Sequence, residues 1–122
     1  MTQPTGFEVA GQEQKVCKLI KSLYGLKQAP RAWYIKMDRH LLQHGFKRSP
    51  SYANLYIKCN GSDIVILVLY VDDLIITDSL EDMIHTMKED LKQSFEMIDM
   101  GLLHYCLGLE VEQKKNHITI TQ

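Results

Sequence analysis

Long apolar runs are missing from this 122-residue sequence. No window approaches the roughly 20 uninterrupted apolar residues of a membrane span, which excludes a transmembrane helix. The opening Met1-Thr2-Gln3-Pro4-Thr5-Gly6 has neither a basic start nor an apolar stretch, so no secretory leader is expected and an intracellular setting without a membrane partner is. Cysteine is sparse. Cys17, Cys59 and Cys106 are odd in number, far apart and free of any CxxC spacing. That excludes a disulfide framework or zinc knuckle read from spacing, and predicts reduced thiols acting as small apolar residues. His40 and His44 stand four apart on a predicted helix, but His40-Leu41-Leu42-Gln43-His44 lacks the glutamate that a metalloprotease motif needs as its base. Repeats and low-complexity tracts are absent too. What is there, 45% hydrophobic and 24% charged residues, is the composition of one soluble globular domain with a core.

The net charge is only −1, yet it conceals two opposed halves. From Lys15 to Lys58 ten basic residues stand against the single acid Asp38, whereas from Cys59 to Gln122 twelve acids outnumber Lys88, Lys92, Lys114 and Lys115. The basic stretch is interleaved with Tyr24, Trp33, Tyr34, Phe46, Tyr52 and Tyr56. That mixture suits a polyanion with stackable bases, because cations neutralise phosphates while aromatic faces accept bases. It equally suits solvated lysines around core aromatics, and composition does not separate the two.

Along the chain, residues 1–14 show no periodicity and read as a loose lead-in, with a strand or turn starting near Val16. Pro30 favours a helix start, and Trp33, Met37 and Leu41 recur at helical spacing, predicting a helix over 32–44 that stops at Gly45-Phe46. Asn54–Cys59 and Ile64–Tyr70 read as strands joined through Asn60-Gly61. The second is apolar on both faces, which predicts a central strand covered on each side. Leu74–Thr77 continues as a further strand. Ser79-Leu80-Glu81-Asp82 has the form of a capping box, and Leu80, Ile84, Met87, Leu91 and Phe95 predict a second helix ending before Gly101. Tyr105–Glu112 and His117–Thr121 read as a hairpin turned at Lys115-Asn116. The order gives an α+β fold: one antiparallel sheet with helices on one face.

Between the apolar runs lie Asp72 and Asp73. Neighbouring residues on a straight strand point to opposite faces, so two adjacent acids serve one site only where the backbone turns, as it should between Tyr70 and Leu74. Carboxylates buried beside apolar strands need cations to neutralise them, and hard oxygen donors prefer Mg²⁺ or Mn²⁺. A plain Asp-rich turn is the alternative for the pair by itself.

Tyr70-Val71-Asp72-Asp73 resembles the YxDD box of reverse transcriptases. Leu23-Tyr24-Gly25-Leu26-Lys27-Gln28-Ala29-Pro30-Arg31-Ala32-Trp33-Tyr34 resembles the signature of Ty1/copia-type retrotransposon enzymes. Gln3-Pro4-Thr5-Gly6-Phe7, Phe95-Glu96-Met97 with Met100-Gly101, and Leu107-Gly108-Leu109-Glu110-Val111 are similar to the same family and in its order. The resemblance implies a polymerase palm, ferredoxin-like in fold, over 15–122. It implies RNA-directed DNA polymerase chemistry in which two Mg²⁺ (or Mn²⁺) ions activate a primer 3′-hydroxyl and stabilise the leaving pyrophosphate. Asp72 would carry most of the metal binding, with Asp73 in support. Tyr70 and Val71 would lie near the primer terminus and incoming nucleotide, and Lys27, Gln28 and Pro30 beside the nucleotide and template. Leu107, Gly108, Leu109 and Glu110 would form the primer-gripping hairpin. The implied partners are an RNA template, a DNA primer, dNTPs and the other parts of a Pol polyprotein. The implied location of an intact member is cytoplasmic, in a virus-like particle.

In that family a further metal-binding aspartate lies on a strand upstream of the Gln-Pro-x-Gly-Phe segment. The resemblance thus implies that the first palm strand and the third carboxylate are not in this chain, nor are the fingers, thumb and RNase H parts. The expectation is a fragment inactive by itself, with Asp78 the first substitute carboxylate to test. Two other outcomes are a non-catalytic nucleic-acid-binding remnant and a relic that does not fold because Ile64–Tyr70 is left as an unpaired edge.

Overall fold

The computed structural model describes residues 1–23, 25–79 and 81–122, apart from the Glu81 side chain. It divides into two compact units, Met1–His44 and Gly45–Gln122.

In the first unit the lead-in is not loose. Residues 1–17 close on themselves, with the Met1 carbonyl accepting the Cys17 N–H at 2.8 Å. Gln3 is the clasp: its amide donates to the carbonyls of Gln12 and Lys15 and accepts from the Val9 N–H. Gly6 and Gly11 adopt positive φ in successive turns, and in each the carboxylate two residues on, Glu8 or Glu13, accepts the glycine N–H at 2.8 Å. Backbone N–H donors hold the Glu13 carboxyl below its ordinary range. Periodicity is blind to such an arrangement because it is built from turns and the polar side chains of Gln3, Glu8 and Glu13, and no strand starts near Val16, where the sequence predicts a strand or turn. Helix α1 spans Ala29–Gln43 and buries Met37 and Leu41. It starts three residues earlier than predicted because Pro30 sits inside the first turn, where its missing N–H has no partner to lose.

The second unit opens with Gly45 in the left-handed region, as the predicted stop requires, and Phe46 buried behind it. Four strands follow as a sheet in the order β1 (Lys47–Arg48), β2 (Leu55–Asn60), β3 (Asp63–Tyr70), β4 (Asp73–Asp78), with every neighbouring pair antiparallel. The β2–β3 turn is Gly61-Ser62, one residue on from the predicted Asn60-Gly61 signal, with Gly61 at positive φ. Helix α2 (Glu81–Ser94) packs on β4 and buries Met87 and Leu91, with Phe95 closing the stripe just beyond its end. Part of the expected capping box, Leu80, lies outside the described residues. The Ser79 hydroxyl beside it accepts the Ile64 N–H and donates to Asp78. After the helix, Lys88 pairs with Asp99 at 3.0 Å, and the Gly101 N–H donates to the same carboxylate. That N–H first, and Lys88 second, hold the Asp99 carboxyl below its ordinary range.

Three expectations need correction. First, β3 is not covered on both sides. Val65, Leu67 and Leu69 are buried, while Ile64, Val68 and Tyr70 on the other face are exposed. An all-apolar run shows that both faces can be buried, not that a second layer is present. Second, β3 is no unpaired edge, since β2 and β4 flank it over most of its length. Third, the single sheet is two. The predicted strand 105–112 folds at Leu107-Gly108, so that β5 (Tyr105–Cys106), β6 (Leu109–Lys114) and β7 (His117–Thr121) form a separate antiparallel sheet. Its outer turn at Lys115-Asn116 is where the sequence predicts it. No helix among the described residues is long and apolar enough to cross a membrane.

Candidate active-site hairpin

The register of β3 with β4 runs from Val65–Asp78 to Tyr70–Asp73, and Val71 and Asp72 are left as a two-residue loop. The turn that adjacent acids require is therefore present. Asp72 sits in the loop, Asp73 begins β4, and Tyr70 faces Asp73 across the ladder. All four residues are exposed, so the carboxylates are not buried beside the apolar strands as the sequence suggested, and each can reach a solvated cation. Among the described residues, no third His, Cys, Asp or Glu donor stands close enough to Asp72 and Asp73 to make a three-donor set. Asp78 cannot fill that place. It lies at the opposite end of β4, five residues or about 17 Å along the strand, where its carboxylate accepts from Ser79.

One feature of the tip is invisible to sequence patterning. Val71 has φ +49°, and its side chain is 63% exposed. A β-branched residue in the left-handed region is strained, at a cost of about 1–3 kcal/mol, and persists because the six-rung ladder behind it fixes the turn. Val71→Gly should therefore raise stability by roughly 1 kcal/mol. Urea denaturation followed by circular dichroism checks this, and a loss instead would mean that the valine side chain makes contacts worth more than the strain.

Leu107 repeats the pattern. With φ +54°, followed by Gly108 at +83°, it forms the tip of the β5–β6 hairpin, 57% exposed, with Leu109 and Glu110 opening β6. The base of this hairpin is braced by the Val111 N–H donating to the His104 carbonyl and the Gln113 amide donating to that of Leu103. A positive φ at a leucine has no sequence signature of its own, although the following glycine marks the position as a turn.

Lys27, Gln28 and Pro30 lie in the first unit, in the turn closed by the Ala29 N–H on the Leu26 carbonyl and in the first turn of α1, and all three are exposed. Lys15, Lys18, Lys21, Arg31, Lys36 and Arg39 of the same unit are exposed as well. The interleaved aromatics divide. Phe46 and Tyr56 are core, Trp33 and Tyr34 half-buried and Tyr52 69% exposed, while Tyr24 lies outside the described residues.

An acid pair on a hairpin tip does not by itself name a family, and the comparison of sequences does. Residues 1–122 match the family described as reverse transcriptase (RNA-dependent DNA polymerase), and the chain belongs to that family. Its relatives narrow this to reverse transcriptase domains of copia-type transposon Pol polyproteins. It is 41% identical over its whole length to the retrovirus-related Pol polyprotein from transposon RE1 of Arabidopsis thaliana, and 43% identical over 94% of its length to that from transposon TNT 1-94 of Nicotiana tabacum. It is also 31% identical, over 93% of its length, to the putative transposon Ty5-1 protein of Saccharomyces cerevisiae. The chain spans only 8% and 9% of the two plant polyproteins and 37% of the yeast protein. No solved structure matches it.

Proposed function

We propose that this chain is the palm portion of an RNA-directed DNA polymerase and that the Tyr70–Asp73 hairpin is its catalytic element. The observation that carries the reading is the hairpin itself: within a family match over residues 1–122, the register leaves Asp72 and Asp73 together at an exposed tip. Two hard carboxylates suit Mg²⁺ or Mn²⁺, and such ions, when bound, activate a primer 3′-hydroxyl and neutralise the departing pyrophosphate. Asp72 lies in the loop and supplies one exposed donor. Asp73 is anchored by the ladder and orients the pair. Tyr70 and Val71 present an aromatic and an aliphatic surface beside the acids, suited to a primer end and a nucleotide. Lys27, Gln28 and Pro30 suit template and nucleotide contacts, and the Leu107–Glu110 hairpin suits a hold on the primer.

Two carboxylates leave a two-ion clamp incomplete, and no third donor adjoins them among the described residues. By itself this chain is therefore expected to be inactive in nucleotide addition. The test is extension of a DNA primer on an RNA template with Mg²⁺ or Mn²⁺, comparing the chain with its Asp72→Asn variant. No extension from folded protein is the expected result. Extension that vanishes in the variant would support the catalytic hairpin and overturn the inactivity, and extension that survives it would overturn the role of Asp72.

A second reading rests on the seven exposed cations Lys15, Lys18, Lys21, Lys27, Arg31, Lys36 and Arg39. It is a nucleic-acid-binding remnant without chemistry, whose affinity is electrostatic and indifferent to Asp72.

A further inference from the structure

His40 and His44 occupy the last turn of α1 and the position that caps it. Four residues apart on a helix means one face, and the two rings lie with centroids 4.1 Å apart at an interplanar angle of 31°. The second ring is held in place. The His44 backbone N–H bonds to the His40 and Leu41 carbonyls, and its Nδ1 lies 2.8 Å from the same His40 carbonyl oxygen. A carbonyl only accepts, so this contact places the proton on His44 Nδ1 and leaves the lone pair of the neutral ring on Nε2. A backbone carbonyl fixing one nitrogen of an imidazole while the other carries the lone pair is the arrangement by which proteins orient histidine ligands.

We propose that His40 and His44 form a two-imidazole chelate for a divalent transition-metal ion, Zn²⁺, Ni²⁺ or Cu²⁺, with water completing the coordination. Imidazole nitrogen prefers these ions, whereas Mg²⁺ prefers oxygen, so the site is chemically separate from the Asp72–Asp73 hairpin.

The experiment is calorimetric titration of the untagged, chelator-treated chain with CuCl₂, and separately with ZnCl₂, using wild type, His40→Ala, His44→Ala and a His117→Ala control. His117 is on β7, outside the pair. One ion per chain is expected. Either alanine variant should weaken it by at least the roughly tenfold that loss of an outer-shell partner costs, and the control should leave it unchanged. Copper spin resonance of the wild-type complex should show nitrogen coupling, which guards against a variant that merely misfolds. Binding unaffected by both alanine variants, no binding at millimolar ion, or a copper spectrum with oxygen ligands only would overturn the proposal.

Discussion

Raising salt from about 50 to 200 mM should weaken binding of an RNA–DNA template-primer by this chain on the order of 10³-fold, because six or more neutralised phosphates release that many counterions. The cations available for this are those of the first unit, from Lys15 to Arg39, all of them solvent-facing. Fluorescence anisotropy with a labelled duplex across a salt series measures the slope. Replacing Lys18, Lys21 and Arg31 together by Gln should reduce the slope by roughly three, one unit for each phosphate no longer neutralised, whatever the sequence of the duplex. Asp72→Asn should leave binding unchanged or slightly tighter, since removing an acid lowers repulsion from phosphate. A shallow slope would show that the basic half is an ordinary solvated surface. The stacking contribution rests on fewer aromatics than the sequence suggested, since Phe46 and Tyr56 are committed to the core.

Leu67→Ala should destabilise the second unit by about 2–5 kcal/mol, a large part of the ~5–15 kcal/mol that holds a small domain folded. Leu67 is fully buried in the middle of β3, between Tyr56 on β2 and Ile76 on β4, so truncation leaves a cavity that the flanking ladders cannot close. Ile64→Ala, three residues away on the exposed face, should cost well under half as much. Chemical denaturation of the two variants beside wild type makes the comparison. Equal losses would mean that both faces of β3 are covered in solution, as the unbroken run of apolar residues alone predicts. A cooperative transition in the wild type would also dispose of the idea of a relic that cannot fold.

Most of the elements and the position of the acids are legible in local sequence signals. Helical spacing located α1 and α2, apolar runs located β2, β3 and β4, and the change from apolar to acidic residues after Tyr70 located a turn, because these signals are local and repeat with the period of the element. The motif residues around Asp72 and from Leu23 to Tyr34 identified the family, which the match over 1–122 bears out.

Features that depend on residues distant in sequence or on backbone angles emerge only in the folded chain. Strand pairing placed β3 inside the sheet and one of its faces in solvent, and which face is buried is a property of what packs there rather than of the strand. It likewise put Asp78 at the far end of β4 from the acid pair, although only five residues separate it from Asp73. The fold at Leu107, the strained Val71 and the Gln3 clasp carry no periodic signal, because each is fixed by a ladder or a set of hydrogen bonds that overrides the local preference of the residue involved.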